Sequence, residues 1–85
     1  PVWCGGMVET GIGRAANAAL ATLPGFSLVG DISAASRFYR RDIVADPITM
    51  HDGLVDVPTT PGLGFDLDLD FLDSVTTSVT RLAVE

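Results

Sequence analysis

The sequence predicts an α/β fold: one βαβ unit followed by a more irregular, β-rich tail. Three observations predict it. An apolar run, Val2-Trp3-Cys4, ends at Gly5-Gly6. A helical pattern follows, with Ile12, Ala15, Ala16, Ala19, Leu20 and Leu23 in an i, i+3, i+4, i+7 stripe. Phe26-Ser27-Leu28-Val29-Gly30 is then short and apolar enough for a second buried strand. Strand, helix and strand with tight connections make parallel neighbours.

Each element has a local justification. Gly5-Gly6 lets the backbone turn sharply or approach a ligand closely. Thr10 is the expected N-cap of the helix, and Pro24-Gly25 ends it after Leu23. Asp31 falls at the C-terminal end of the second strand, and Asp31 to Phe38 reads as a loop with a helical turn. From Tyr39 the character changes. Asp42-Ile43-Val44 and Ile48-Thr49-Met50 are short β-like pieces. His51-Asp52-Gly53 reads as a turn and Leu54-Val55-Asp56-Val57 as the return strand of a hairpin. A loop spans Thr59 to Gly64. Asp66 to Leu72 is expected as a short helix capped by Asp66, with Leu67, Phe71 and Leu72 on one face. Val75 to Val84 is expected as a terminal strand. Two parallel strands do not make a stable sheet alone, so the pattern implies further partner strands. The chain also opens Pro1-Val2-Trp3-Cys4 without an initiator methionine, already within a strand, and reads as a cut through a larger protein.

Composition narrows the function classes. The chain has 85 residues, 47% hydrophobic and 19% charged, which is globular rather than disordered. Its net charge is −6, and all five basic residues are arginines: Arg14, Arg37, Arg40, Arg41 and Arg81. An acidic chain with no basic stripe argues against nucleic acid and anionic membrane as partners. The local cluster of Arg37, Arg40 and Arg41 reads as a solvated face pairing with Asp42 and Asp46. Cys4 is the only cysteine, so no intrachain disulfide forms; it reads as a small buried hydrophobe, with the cytoplasm as the default compartment. No apolar stretch reaches the roughly 18 residues of a membrane span.

Several motifs suggest chemistry. Gly11-Ile12-Gly13-Arg14-Ala15-Ala16 matches a G-x-G-x-x-A dinucleotide fingerprint, with Asp31 where a ribose-binding acid would fall. Val8-Glu9-Thr10 separates these glycines from the strand, and Glu9 would place a carboxylate beside the pyrophosphate. Helix packing is therefore the preferred explanation, with a free-standing nucleotide-binding βαβ module as the alternative. Asp66-x-Asp68-x-Asp70 resembles the start of a calcium loop, but Phe71 and Thr77 stand where a glycine and a bidentate acid are needed. His51, the only histidine, has no Cys or second His to join it and reads as a surface turn residue. Glu9 and Asp31 both lie just beyond strand C-terminal ends, the edge where α/β folds place ligand sites. Equally, Glu9 suits a first helical turn and Asp31 suits a cap.

Trp3-Cys4-Gly5-Gly6-Met7-Val8-Glu9-Thr10-Gly11-Ile12-Gly13-Arg14-Ala15 carries a more specific signal. It is continued by Leu23-Pro24-Gly25-Phe26, Gly30-Asp31-Ile32-Ser33-Ala34, Arg37-Phe38-Tyr39, Arg41-Asp42-Ile43-Val44, Val57-Pro58-Thr59 and Pro61-Gly62-Leu63-Gly64. Together they resemble the o-succinylbenzoate synthase and N-acylamino acid racemase group, in the muconate-lactonizing branch of the enolase superfamily. The resemblance runs from Pro1 to the region of Val75.

That resemblance implies the C-terminal part of a modified TIM barrel, (β/α)7β, with a β-rich tail returning to an α+β capping domain. Residues 1–38 would be the last two barrel strands and the intervening helix, and residues 39–85 the tail. It implies removal of a proton α to a carboxylate, with a divalent metal, usually magnesium, stabilising the enolate. Dehydration gives o-succinylbenzoate, in menaquinone biosynthesis; reprotonation on the other face gives racemisation. A base beside a strong Lewis acid suits so weak a carbon acid. The family's bases are lysines and its metal ligands are acids of earlier strands. By the resemblance those strands are not in this segment, and it has no lysine to act as base, so no catalytic residue and no metal ligand is assigned to it, and the isolated segment is expected to be inactive. Gly5, Gly6, Met7, Val8 and Phe38 would line the substrate pocket, with Glu9 and Asp31 as polar groups behind or beside it. Met7, Val8 and Phe38 would also suit an ordinary core. The expected partners are a small-molecule carboxylate substrate, the rest of the same polypeptide, and further copies in a homo-oligomer.

Overall fold

A computed structural model describes residues 1–84. In chain order it holds helix α1 (Gly11–Leu20), a single 3₁₀ turn (Ala35–Arg37), strands β1 (Met50–His51) and β2 (Leu54–Val55), and helix α2 (Leu69–Val75).

The two expected strands flanking α1 run side by side in the same direction but form no regular ladder. The Val2 amide donates to the Gly25 carbonyl, the Leu28 amide to Val2, and the Asp31 amide to Cys4, at 2.9, 3.3 and 2.8 Å. The pairing is parallel and irregular, with Leu28 and Val29 at 53% and 94% exposure. Parallel strands are ordinarily regular where both faces and edges are covered; here Cys4 is buried beside α1, while Val2, Trp3, Leu28 and Val29 are exposed.

Helix α1 stands where the periodicity puts it, but with a different buried face. Gly11, Arg14, Ala15 and Ala18 are buried, whereas Ile12, Ala16, Ala19 and Leu20 are exposed. Of the expected stripe only Ala15 packs inward. Small residues on the inner face allow the tail to approach: a side chain at Gly11 would collide with Val44. The helix also ends at Leu20 rather than Leu23. The Thr22 and Leu23 amides donate to the Ala19 and Leu20 carbonyls, and the Thr22 hydroxyl takes Ala19 as well at 2.7 Å. Pro24 disfavours a helical Leu23 and closes the turn.

Thr10 occupies the N-cap position, yet its side chain makes no cap bond. The Gly11 amide instead donates to Asp42 Oδ1 at 2.8 Å. The same oxygen accepts the amides of Ile43 and Val44 at 2.7 and 3.4 Å. One buried carboxylate thus binds the start of α1 to the tail. Cys4, Ala15, Ala18, Ala35, Val44 and Ile48 form the small core around this junction, as expected for Cys4.

In the tail, β1 and β2 form the expected antiparallel hairpin, pairing Met50 with Val55 and His51 with Leu54. Asp52 and Gly53 both have positive φ, 51° and 78°, which is the type I′ geometry that Asp-Gly favours. His51 belongs to the strand and not to the turn. Val44 bridges Leu67 antiparallel, joining Asp42–Val44 to the approach to α2. That helix is capped by Asp68 rather than Asp66: Asp68 Oδ1 accepts the Phe71 amide at 3.1 Å. Beyond α2 the chain from Thr76 to Val84 forms no strand and is exposed, so the expected terminal strand is not found among the described residues.

Candidate functional site

The segments Gly5–Glu9 and Asp31–Phe38 leave the two paired strands at the same edge. Gly6 explains how closely they meet. A Cβ at that position would fall inside the Asp31 carbonyl oxygen, so only glycine lets the first turn lie against the second strand end. Gly30 approaches Cys4 in the same way, with a built Cβ 3.3 Å from its carbonyl.

Beyond this close approach, Met7 and Val8 project outward, 75% and 65% exposed. Phe38 is 40% exposed and Gly5 is exposed. None of these belongs to the core of the described residues. Asp31 is exposed too, and its main chain makes the contacts with Cys4 and Gly6. Glu9 turns away from that face: its carboxylate lies along the helix past Gly13, and Oε1 accepts Asn17 Nδ2 at 2.7 Å. Its Oε2 is buried without a hydrogen-bond partner. Gly5, Gly6, Met7, Val8, Asp31 and Phe38 therefore share an edge, with Glu9 behind them.

Two residues hold this edge that the sequence did not mark as functional. Arg14 is 1% exposed, and its Nη1 and Nη2 donate to the carbonyls of Ser33 and Glu9 at 2.7 and 2.9 Å. Its guanidinium also lies 5.4 Å from the centre of the Phe38 ring. The Tyr39 hydroxyl donates to the Val8 carbonyl at 3.2 Å. A signal for Arg14 existed: it shares the i, i+3, i+4, i+7 face of Gly11, Ala15 and Ala18, where a long cation among small residues must reach past them.

The other tempting motifs acquire structural roles. Asp42 occupies the first free amide of α1, where a dinucleotide phosphate would have to bind, so the glycine fingerprint serves helix packing. Arg41 pairs with Asp68 at 2.6 Å, not with Asp42 or Asp46, and stacks 4.4 Å from the Phe71 ring. This pair holds the Asp68 carboxyl below its ordinary value of 3.8, through the Arg41 hydrogen bond first and the Phe71 amide second. Asp68 is thus engaged as a cap and an ion-pair partner, not as part of a calcium loop. His51 is exposed on the hairpin. Among the described residues no three His, Cys, Asp or Glu side chains gather to hold a metal. A cleft of about 150 Å³ lies between α1 and the tail, lined by Gly11, Ile12, Ala15, Val44, Leu63, Phe65 and Leu67.

Residues 1–71 match the family described as enolase C-terminal domain-like. The chain belongs to that family. It is 58% identical over 78 residues to an N-succinylamino acid racemase of Amycolatopsis, covering 92% of this chain and 21% of the relative. It is 52% identical over 68 residues to an o-succinylbenzoate synthase of Geobacillus kaustophilus, covering 80% and 18%. Among solved structures, an enolase superfamily member from Listeria innocua superposes with a TM-score of 0.86 at 49% identity, covering 91% of this chain and 21% of that one. A muconate lactonizing enzyme from Klebsiella pneumoniae gives 0.77 at 36% identity, covering 89% and 21%. The fold is therefore α/β and enolase-like, and the resemblance read from the sequence holds. The chain spans about a fifth of the length of the relatives it matches.

Proposed function

We propose that this chain is the C-terminal, substrate-facing segment of a metal-dependent o-succinylbenzoate synthase or N-acylamino acid racemase. The reaction is proton removal α to a carboxylate, followed by dehydration or by reprotonation on the opposite face. Supporting this is the similarity of the chain to a racemase, at 58% identity over 78 residues, and to a synthase, at 52% over 68.

Residues 1–38 are assigned to the last two strands and intervening helix of a (β/α)7β barrel, and residues 39–85 to a tail reaching the capping domain. Exposed Trp3, Leu28 and Val29 suit surfaces that the rest of a barrel would cover. Gly5, Gly6, Met7, Val8 and Phe38 are assigned to the wall of the substrate pocket. Glycine backbone gives a bulky acyl group a flat surface, and Met7 adds an adaptable apolar one. Asp31 lies at the rim, and Glu9 supports the wall from behind.

The proton chemistry is assigned to lysines in the rest of the protein, since this chain contains none. No three His, Cys, Asp or Glu side chains gather among its described residues, and magnesium is assigned to the whole protein, with ligands on earlier strands. The whole protein is taken to be a cytoplasmic homo-oligomer acting on a small carboxylate.

The test is an assay of the full-length protein with magnesium, using an N-succinylamino acid for racemisation and the synthase substrate for dehydration. Turnover of either substrate is the expected result. Absence of both from a folded, metal-loaded protein overturns the proposal.

A further inference from the structure

Arg14 is a buried cation whose position calls for an explanation. It is 1% exposed, its Nε has no hydrogen-bond partner, and the only salt bridge among the described residues joins Arg41 to Asp68. Burying a charge without a carboxylate is costly, and an apolar side chain usually serves stability as well. What a guanidinium alone supplies is a rigid fork of several donors.

That fork spans the candidate edge. One nitrogen fixes the carbonyl of Glu9, the residue after Met7-Val8, and the other fixes the carbonyl of Ser33 at the start of the second loop. The guanidinium face carries the Phe38 ring. Tyr39 adds a bond to the Val8 carbonyl. All these acceptors are main-chain atoms, so the side chains of Met7 and Val8 stay free to face outward.

We infer that Arg14 is a positioning residue, assisted by Tyr39, that sets the spacing between the Met7–Val8 turn and Phe38 and so determines how tightly the substrate is held. The inference rests on the pocket wall assigned under Proposed function. Arg14 itself touches no reacting atom. Its loss should weaken binding in the ground state and the transition state alike, raising KM with little change in kcat.

The experiment compares Arg14→Lys and Tyr39→Phe with the wild type in the full-length, magnesium-loaded enzyme, measuring kcat, KM and the melting temperature. Lysine keeps the charge but cannot bridge two carbonyls. Arg14→Lys should raise KM about tenfold, the scale of one hydrogen bond made by a charged group, with kcat within about twofold. Tyr39→Phe leaves no buried charge behind and should raise KM by a smaller factor. A residue of purely structural value would lower the melting temperature and the active fraction while leaving KM unchanged, and that outcome overturns the inference. If Arg14→Lys fails to fold, Tyr39→Phe decides: an unchanged KM overturns the inference and a raised KM upholds it. A wild type inactive on both substrates would instead refute the proposed function.

Discussion

Asp42 accepts the Gly11 amide at 2.8 Å across 31 residues of sequence, and so caps a helix from the far side of the fold. The contact replaces the local cap that Thr10 leaves unmade. It also makes the tail from Tyr39 onward part of the support for the Gly5–Glu9 turn, since α1 follows that turn directly.

Asp42→Ala in the full-length protein should lower stability by about 1–2 kcal/mol, the range for a lost helix cap. Asp42→Asn keeps an acceptor at Oδ1 and should cost less. Urea unfolding of the two variants beside the wild type checks the order; equal stability of Asp42→Ala and wild type would contradict the capping role.

Gly6→Ala should be destabilising by about 1–3 kcal/mol, because the added methyl meets the Asp31 backbone and not a side chain that can swing away. Gly25→Ala is the matched control. Nothing lies within 4 Å of its built Cβ, so it should change stability by less than about 0.5 kcal/mol. Thermal melts of both variants separate the positions.

The Arg41–Asp68 pair predicts a contribution that disappears in acid. The Asp68 pKa is depressed in the folded state by the Arg41 hydrogen bond and then by the Phe71 amide. A depressed carboxyl pKa stabilises the fold above the unfolded value, near 3.8, and the benefit is lost as pH falls through the lower folded value. The stability gap between wild type and Asp68→Asn should be level at neutral pH and close in acid. Added salt should shrink it, as Arg41 is 62% exposed.

Gly53→Ala should cost about 1 kcal/mol, since its φ of 78° strains any residue with a Cβ. Faster amide hydrogen exchange at Met50 and Val55 would report the loosened hairpin.

Met7→Ala should lower kcat/KM for an N-succinylamino acid by about tenfold, the effect of losing an apolar contact worth 1–3 kcal/mol. The melting temperature should hardly change, because Met7 is 75% exposed within the described residues. Unchanged kinetics would remove Met7 from the pocket wall.

The sequence by itself determined the parts that depend on near neighbours. The helix after Gly5-Gly6, the Asp52-Gly53 hairpin and the helical turn before Phe38 follow from spacing or turn chemistry within a few residues, and the family was legible from the resemblance of its motifs. The edge shared by Gly5–Val8 and Asp31–Phe38 was legible too, because a parallel βαβ path brings its two strand ends together. Only the tertiary structure decided the rest. It turned Arg14, rather than Ile12 and Leu20, to the inside of α1, and it gave the cap of that helix to Asp42 instead of Thr10. Likewise it paired Arg41 with Asp68 and left the strands beside α1 irregularly joined. The physical reason is range: periodicity and turn preference are settled within a turn or two of chain. Which helix face is covered, and which carboxylate meets a free amide, depends on where residues tens of positions away come to rest.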